Sequence, residues 1–150
     1  MSKCWLRRWK KQVARAEIKM PEEFLLKLSN LGEHTDAVLK KVLDAGGKVV
    51  EEKVHSNLTA AIMTDRSTGE LAGALGVSPA KLDRNGNFNV KIGFSEPRSG
   101  GKANAMIAGV LEYGKHGQPP RPFMKPAMSS SKADAIRAME DAYDREVDNL

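Results

Sequence analysis

Between Phe88 and Phe94 the sequence FNVKIGF sets Phe88, Val90, Ile92 and Phe94 at every second position, with Asn89, Lys91 and Gly93 between them. Successive side chains of a strand point to opposite faces, so this spacing gathers four apolar groups on one face and requires a layer to cover it. Asn85-Gly86 stands just before the strand. Both residues tolerate positive φ, so the pair predicts a tight hairpin, with an antiparallel partner near 74–82. Counting back from that turn sets Val77 opposite Phe94. Pro79 marks an edge strand or an irregularity, because proline has no N–H to give the ladder.

The covering layer reads as helical. Thr35 is a candidate N-cap, and Val38, Leu39, Val42, Leu43, Val49, Val50 and Val54 keep one apolar face, which predicts a long helix over 35–57. Gly46-Gly47 in its middle destabilises it by roughly 1 kcal/mol per glycine relative to alanine, and so marks a bend or a close helix crossing. Pro21, Glu22 and Glu23 open a shorter helix with Phe24, Leu25 and Leu28 on one side, ended by Gly32. Met106, Ile107, Val110 and Leu111 predict another short helix closed by Gly114. Residues 95–104 carry no large apolar group and read as a mobile loop. Toward the C-terminus, Ser130 or Ser131 as cap and Asp134 in the first turn lead into Ile136, Met139, Tyr143, Val147 and Leu150 at helical spacing. Helices, then strands, then a helix make an α+β fold, with a long N-terminal helix and a C-terminal helix packed on a small antiparallel sheet.

A chain of 150 residues, 41% apolar, suits one such domain, placed over 21–150. The net charge of +5 is unevenly distributed. Residues 1–20 hold seven basic side chains against Glu17 alone, while the remainder has 17 basic and 18 acidic residues. This is a basic arm, and Trp5, Trp9, Val13 and Ala16 recur in it at helical spacing, with Arg8, Lys11 and Arg15 turned elsewhere. The arm is a solvated tail, a helix laying its tryptophans on a neighbouring subunit, or a contact for DNA or another anionic surface. The longest apolar runs, such as AMIAGVL at 105–111, fall far short of the roughly 18 residues of a spanning helix. Positions 1–20 mix charge with apolar groups, unlike a secretory signal. Cys4 is the only cysteine, so no intrachain disulfide can form and a reducing, intracellular origin is the simpler reading.

Catalytic chemistry finds no foothold. Gly101-Lys102 lacks the earlier glycine and the following Ser or Thr of a phosphate-binding loop. His34, His55 and His116 are scattered, and with Cys4 they make no zinc spacing. Glu112 and His116 are four apart, but Gly114 interrupts the helix that would align them. Ser129, Ser130 and Ser131 lack the flanking glycines of a nucleophile elbow and read as a helix cap. Neither a catalytic group, a metal site nor a cofactor is expected.

The unusual stretch is VLEYGKHGQPPRPFMKPAM at 110–128. Its four prolines, Pro119, Pro120, Pro122 and Pro126, fix φ and hold much of it extended, which lowers the entropy lost on docking. Phe123 and Met124 between Arg121 and Lys125 could set an aromatic anchor in a partner's pocket. Alternatively, Phe123 enters its own core while the prolines lead into the last helix.

Here the sequence resembles the gene-product-ten-like tail-completion, or head–tail joining, proteins of tailed phages. Their hallmark is similar to Val110-Leu111-Glu112-Tyr113-Gly114 followed by Pro120-Arg121-Pro122-Phe123-Met124-Lys125-Pro126-Ala127. The long helix, Thr68-Gly69-Glu70-Leu71 with Ala74-Leu75, and Val90-Lys91-Ile92-Gly93 match in order, over roughly residues 21–148. The chain departs from the pattern at Lys115, at Thr68 and in the basic arm. The resemblance implies a structural virion protein of the neck. It would join head connector to tail as a subunit of a ring, expected to be hexameric, beside head-connector and tail-terminator or tail-tube proteins, with DNA in the lumen a candidate contact and no membrane. It would assemble in the host cytoplasm. A tail-terminator or head-closure connector role in the same neck is the runner-up, and a nucleic-acid-binding accessory protein using the arm is the reading from a different class. On the resemblance, Glu112, Tyr113, Gly114, Arg121, Pro122, Phe123, Lys125 and Pro126 are the expected interface residues; from the arm's own pattern, Trp5, Arg8, Trp9, Lys11 and Arg15 are the expected arm contacts.

Overall fold

The computed structural model describes residues 16–19, 34–62, 69–96 and 103–149. The elements in chain order are β1 (Ala16–Lys19), α1 (Thr35–Ala61), a helical turn α2 (Glu70–Gly73), β2 (Leu75–Val77), β3 (Lys81–Leu82), β4 (Phe88–Phe94), α3 (Asn104–Tyr113) and α4 (Met124–Asp148). The long helices α1 and α4 pack against one antiparallel sheet, the α+β arrangement expected from the sequence. The expected short helix from Pro21 and the residues 97–102 of the expected loop lie outside the described residues.

Strand β4 is the centre of the sheet, with β1 on one side and β2 followed by β3 on the other. Val90 and Ile92 are fully buried beneath the helices, as the alternation requires. The hairpin register differs from the expected one by two residues, Leu75 and not Val77 facing Phe94. One residue comes from the turn. Asp83 and Asn87 close a three-residue loop, Asp83 N–H donating to Asn87 O at 2.9 Å, in place of a two-residue turn on Asn85-Gly86. The other comes from a β-bulge at Pro79. Between the pairs Val77–Ile92 and Lys81–Asn89, three residues on one strand oppose two on the other. Ser78 holds the start of the bulge, its N–H donating to Lys91 O at 2.8 Å and its Oγ accepting from Lys91 N–H at 3.0 Å.

Asp83 Oδ1 accepts from the N–H groups of Asn85 and Asn87 at 2.8 and 2.9 Å. The hydrogen bond from Asn87, with smaller help from Asn85 and Lys19, holds its carboxyl below the usual carboxylate range against the opposing effect of desolvation. A depressed folded-state pKa stabilises the turn above the ordinary Asp value, and the contribution fades as pH falls through the depressed one. An NMR titration should show Asp83 titrating below a model aspartate, with faster amide exchange at Asn85 and Asn87 once it is protonated.

Ala16–Lys19, assigned from periodicity to a helical arm, is a strand. It pairs antiparallel with β4, Ala16 opposite Ile92 and Ile18 opposite Val90, and both of its apolar residues are buried. Glu17 faces Lys91, a favourable cross-strand pair. The sheet thus begins inside the stretch read as the arm.

Gly46 and Gly47 let α1 approach two layers at once. A Cβ on Gly46 would come within 2.8 Å of Met139 Cγ on α4, and one on Gly47 within 3.1 Å of Val77 and 3.2 Å of Val90. The glycine pair is therefore the crossing point of helix, helix and sheet. Gly46→Ala is expected to lower stability by about 1–3 kcal/mol through overpacking against Met139, read as a drop in thermal midpoint. A neutral result would mean that Met139 swings aside without loss.

Candidate functional site

Helix α4 starts six residues before the expected Ser130, and the reason lies outside the helix. The first N–H groups of any helix have no intrahelical partner. In α4 these belong to Phe123, Met124, Lys125 and position 126. Glu112, near the end of α3, accepts the first two on Oε2, at 2.8 Å from Phe123 N and 2.9 Å from Met124 N, and the third on Oε1, at 3.0 Å from Lys125 N. The fourth donor does not exist, because residue 126 is proline. A carboxylate from one helix and a proline of the other settle all four positions. The negative charge also sits where the α4 dipole favours it. Ser130 and Ser131, proposed as caps, lie within the helix, and Ser131 Oγ donates back to Ala127 O at 2.6 Å.

The intervening segment delivers Phe123 to that carboxylate. Gly114 ends α3 with φ of 73°, a left-handed conformation that suits glycine. A Cβ there would also lie 2.9 Å from both Gln118 O and Pro120 N. Lys115 and Gln118 then close a tight reversal through paired backbone hydrogen bonds of 3.0 and 2.9 Å. The prolines run back along α3, where Arg121 N–H donates to Leu111 O at 2.7 Å. Gly114→Ala combines a strained φ with backbone collisions and is expected to destabilise by about 1–3 kcal/mol, measured by denaturant unfolding; unchanged stability would show that the reversal relaxes.

Helix α1 completes the joint. Asn57 Nδ2 donates to Phe123 O at 3.2 Å, and Arg121 Nη1 reaches Ala61 O at 3.4 Å, adding a cation at the C-terminus of α1. The Phe123 ring is fully buried and meets Phe94 edge to face, with centroids 6.2 Å apart at 75°. Three helix ends and the end of β4 converge on this motif.

Of the expected interface residues, Glu112 and Phe123 are committed inside the subunit, 6% and 0% exposed. For Phe123 this matches the second of its two readings, entry into the subunit's own core. Tyr113, Arg121, Pro122, Lys125 and Pro126 are exposed around them, and Gly114 is half-buried. The arm residues Trp5, Arg8, Trp9, Lys11 and Arg15 lie outside the described residues. Asn57 was missed, since a helical Asn carries no sign of a partner 66 positions away. The role of Glu112 did leave a trace: a helix start bearing Pro126 but no Ser, Thr, Asp or Asn cap implies an acceptor from elsewhere.

Among the described residues no three His, Cys, Asp or Glu side chains gather as metal ligands, and no helix is long and apolar enough to cross a membrane. The comparisons agree with a structural reading. No curated protein and no solved structure matches the chain. A family model does, over residues 22–114, described as "Bacteriophage HK97-gp10, putative tail-component". The matched residues take in α1, the hairpin and α3 with Glu112, and stop at Gly114 before Phe123 and α4. With more than half of its length matched, the chain belongs to the HK97-gp10-like family of phage tail components.

Proposed function

We propose that this tail component acts in the phage neck, joining the head connector to the tail as one subunit of a ring. The observation that carries the reading is the family match over residues 22–114. The joint at Glu112 supports it physically: tying three helix ends together makes a stiff subunit, and stiffness suits a part that must hold geometry between two larger assemblies. Tyr113, Arg121, Pro122, Lys125 and Pro126 are the exposed residues through which it meets neighbours. A ring of identical copies needs heterologous contacts, one patch against a different one. The ring is expected to be hexameric, with head-connector and tail-terminator or tail-tube proteins on its two sides and DNA in its lumen.

The test is the mass of the purified assembly together with its place in imaged particles. A closed multiple of the 16.4 kDa subunit, found at the head–tail junction, is the expected result. A subunit that stays monomeric at every concentration and is missing from the junction would end the proposal.

A further inference from the structure

Helix α3 seats Ala108 and Gly109 inward, with Ile107 and Leu111 packed against the core, yet keeps large apolar side chains on its outer face as well. It turns Asn104 and Glu112 inward, 1% and 6% exposed, and leaves Met106 and Tyr113 outward, 50% and 52% exposed. Met106, Val110 and Tyr113 follow at spacings of four and three, so they form one stripe, exposed at its two ends and half-buried at Val110. Two lysines stand at its Tyr113 end, Lys115 two residues later in the chain and Lys125, whose backbone N–H is bonded to Glu112, the residue before Tyr113. Both lysines are exposed.

Helix α4 is charged against its own interest at its C-terminal end. Its first turn contains Lys125 and no acidic residue, and its last turns gather Glu140, Asp141, Asp144, Glu146 and Asp148 against Arg145. The acidic last turns oppose the helix dipole, which favours cations there, whereas at the start the Glu112 carboxylate supplies the favoured anion. Glu146 is engaged by Lys41 of α1 at 2.6 Å, while Glu140, Asp141, Asp144 and Asp148 are exposed. Val147 and Tyr143 are half-buried among them. The two regions are complementary, apolar stripe with basic rim against acidic helix end with apolar residues, yet α4 holds them apart. Its 25 residues span roughly 35 Å at 1.5 Å per residue, so they cannot meet within one subunit.

We infer that successive copies of this chain join head to tail, the acidic last turns of α4 of one copy docking on the Met106–Val110–Tyr113 stripe and on Lys115 and Lys125 of the next. The contact is heterologous, the kind a ring requires, and it rests on the ring proposed above. An apolar centre with a charged rim is the usual anatomy of such an interface, and the charges set its register.

A charge-swap experiment tests it, using the full chain and sedimentation velocity over a concentration series. The double variants Lys115→Glu/Lys125→Glu and Asp144→Lys/Asp148→Lys should each weaken association at least tenfold with unchanged circular dichroism, since all four positions are on the surface. Mixed together, the two doubles should co-assemble, because every contact between unlike copies pairs either two parental or two reversed charge sets. Combining all four changes in one chain should restore assembly. If both doubles assemble like the parent, the ring stands and this interface is wrong. If the four-fold variant stays dissociated, the pairing is wrong. If the lysine double loses affinity for duplex DNA but assembles normally, the basic rim serves nucleic acid and the inference falls. If the parent chain never assembles, the ring proposal itself fails with it.

Discussion

Replacing Glu112 with alanine is expected to lower the stability of the subunit by about 3–5 kcal/mol, because three backbone donors lose one shared acceptor while two of their residues are buried. Hydrogen bonds to a charged group contribute about 1.5–3 kcal/mol each, and three on one carboxylate are not additive, so the estimate lies below their sum. Glu112→Gln separates charge from shape. Its amide keeps one acceptor oxygen but turns an NH2 group toward N–H donors, and a loss of about 2–3 kcal/mol is expected. Denaturant unfolding gives both values. Amide exchange locates the effect: protection should fall first at Met124 and Lys125, while Val90 and Ile92 exchange as in the parent until global unfolding. If glutamine and alanine each change stability by less than about 1 kcal/mol, the carboxylate is not what starts α4.

The limits of the sequence reading follow the range of the interactions involved. Strand β4 was legible to its end residues, because period-two alternation is written in the side chains of the strand itself. Helix α1 was equally legible, and extends four residues beyond the expected 57. The hairpin was found but its register was not. That register depends on Asp83 accepting two backbone N–H groups and on Ser78 holding the start of a bulge, and neither choice follows from the Asn-Gly pair. Ala16–Lys19 were misread for the opposite reason: helical spacing of Trp5, Trp9, Val13 and Ala16 suggested a helix, and at Ala16 pairing with β4 overrides it. The start of α4 was missed by six residues because its cap is brought from another helix, 11 to 13 positions upstream. The same fact reinterprets the proline-rich motif. Its chemistry suggested outward recognition, and much of it is used to bring Phe123 and Glu112 together.

Phe123→Ala decides how far that inward reading extends. The ring is fully buried, so truncation should cost about 3–5 kcal/mol, a sum of lost transfer energy and the cavity left behind. Phe123→Leu keeps most of the volume without the aromatic edge and should cost less, about 1–2 kcal/mol. A double-mutant cycle with Phe94→Ala should show coupling of about 0.5–1.5 kcal/mol, the range of an edge-to-face pair. Assembly separates the two roles. If Phe123 acts only inside the subunit, the leucine variant assembles normally wherever it is folded, and the alanine variant loses assembly in step with its loss of folded subunit. If instead the leucine variant is folded yet fails to associate, the ring reaches a neighbour that the isolated subunit does not reveal. The first outcome is expected, because a ring held between Phe94 and the start of α4, with its own backbone bonded to Glu112 and Asn57, has no face left to offer a partner.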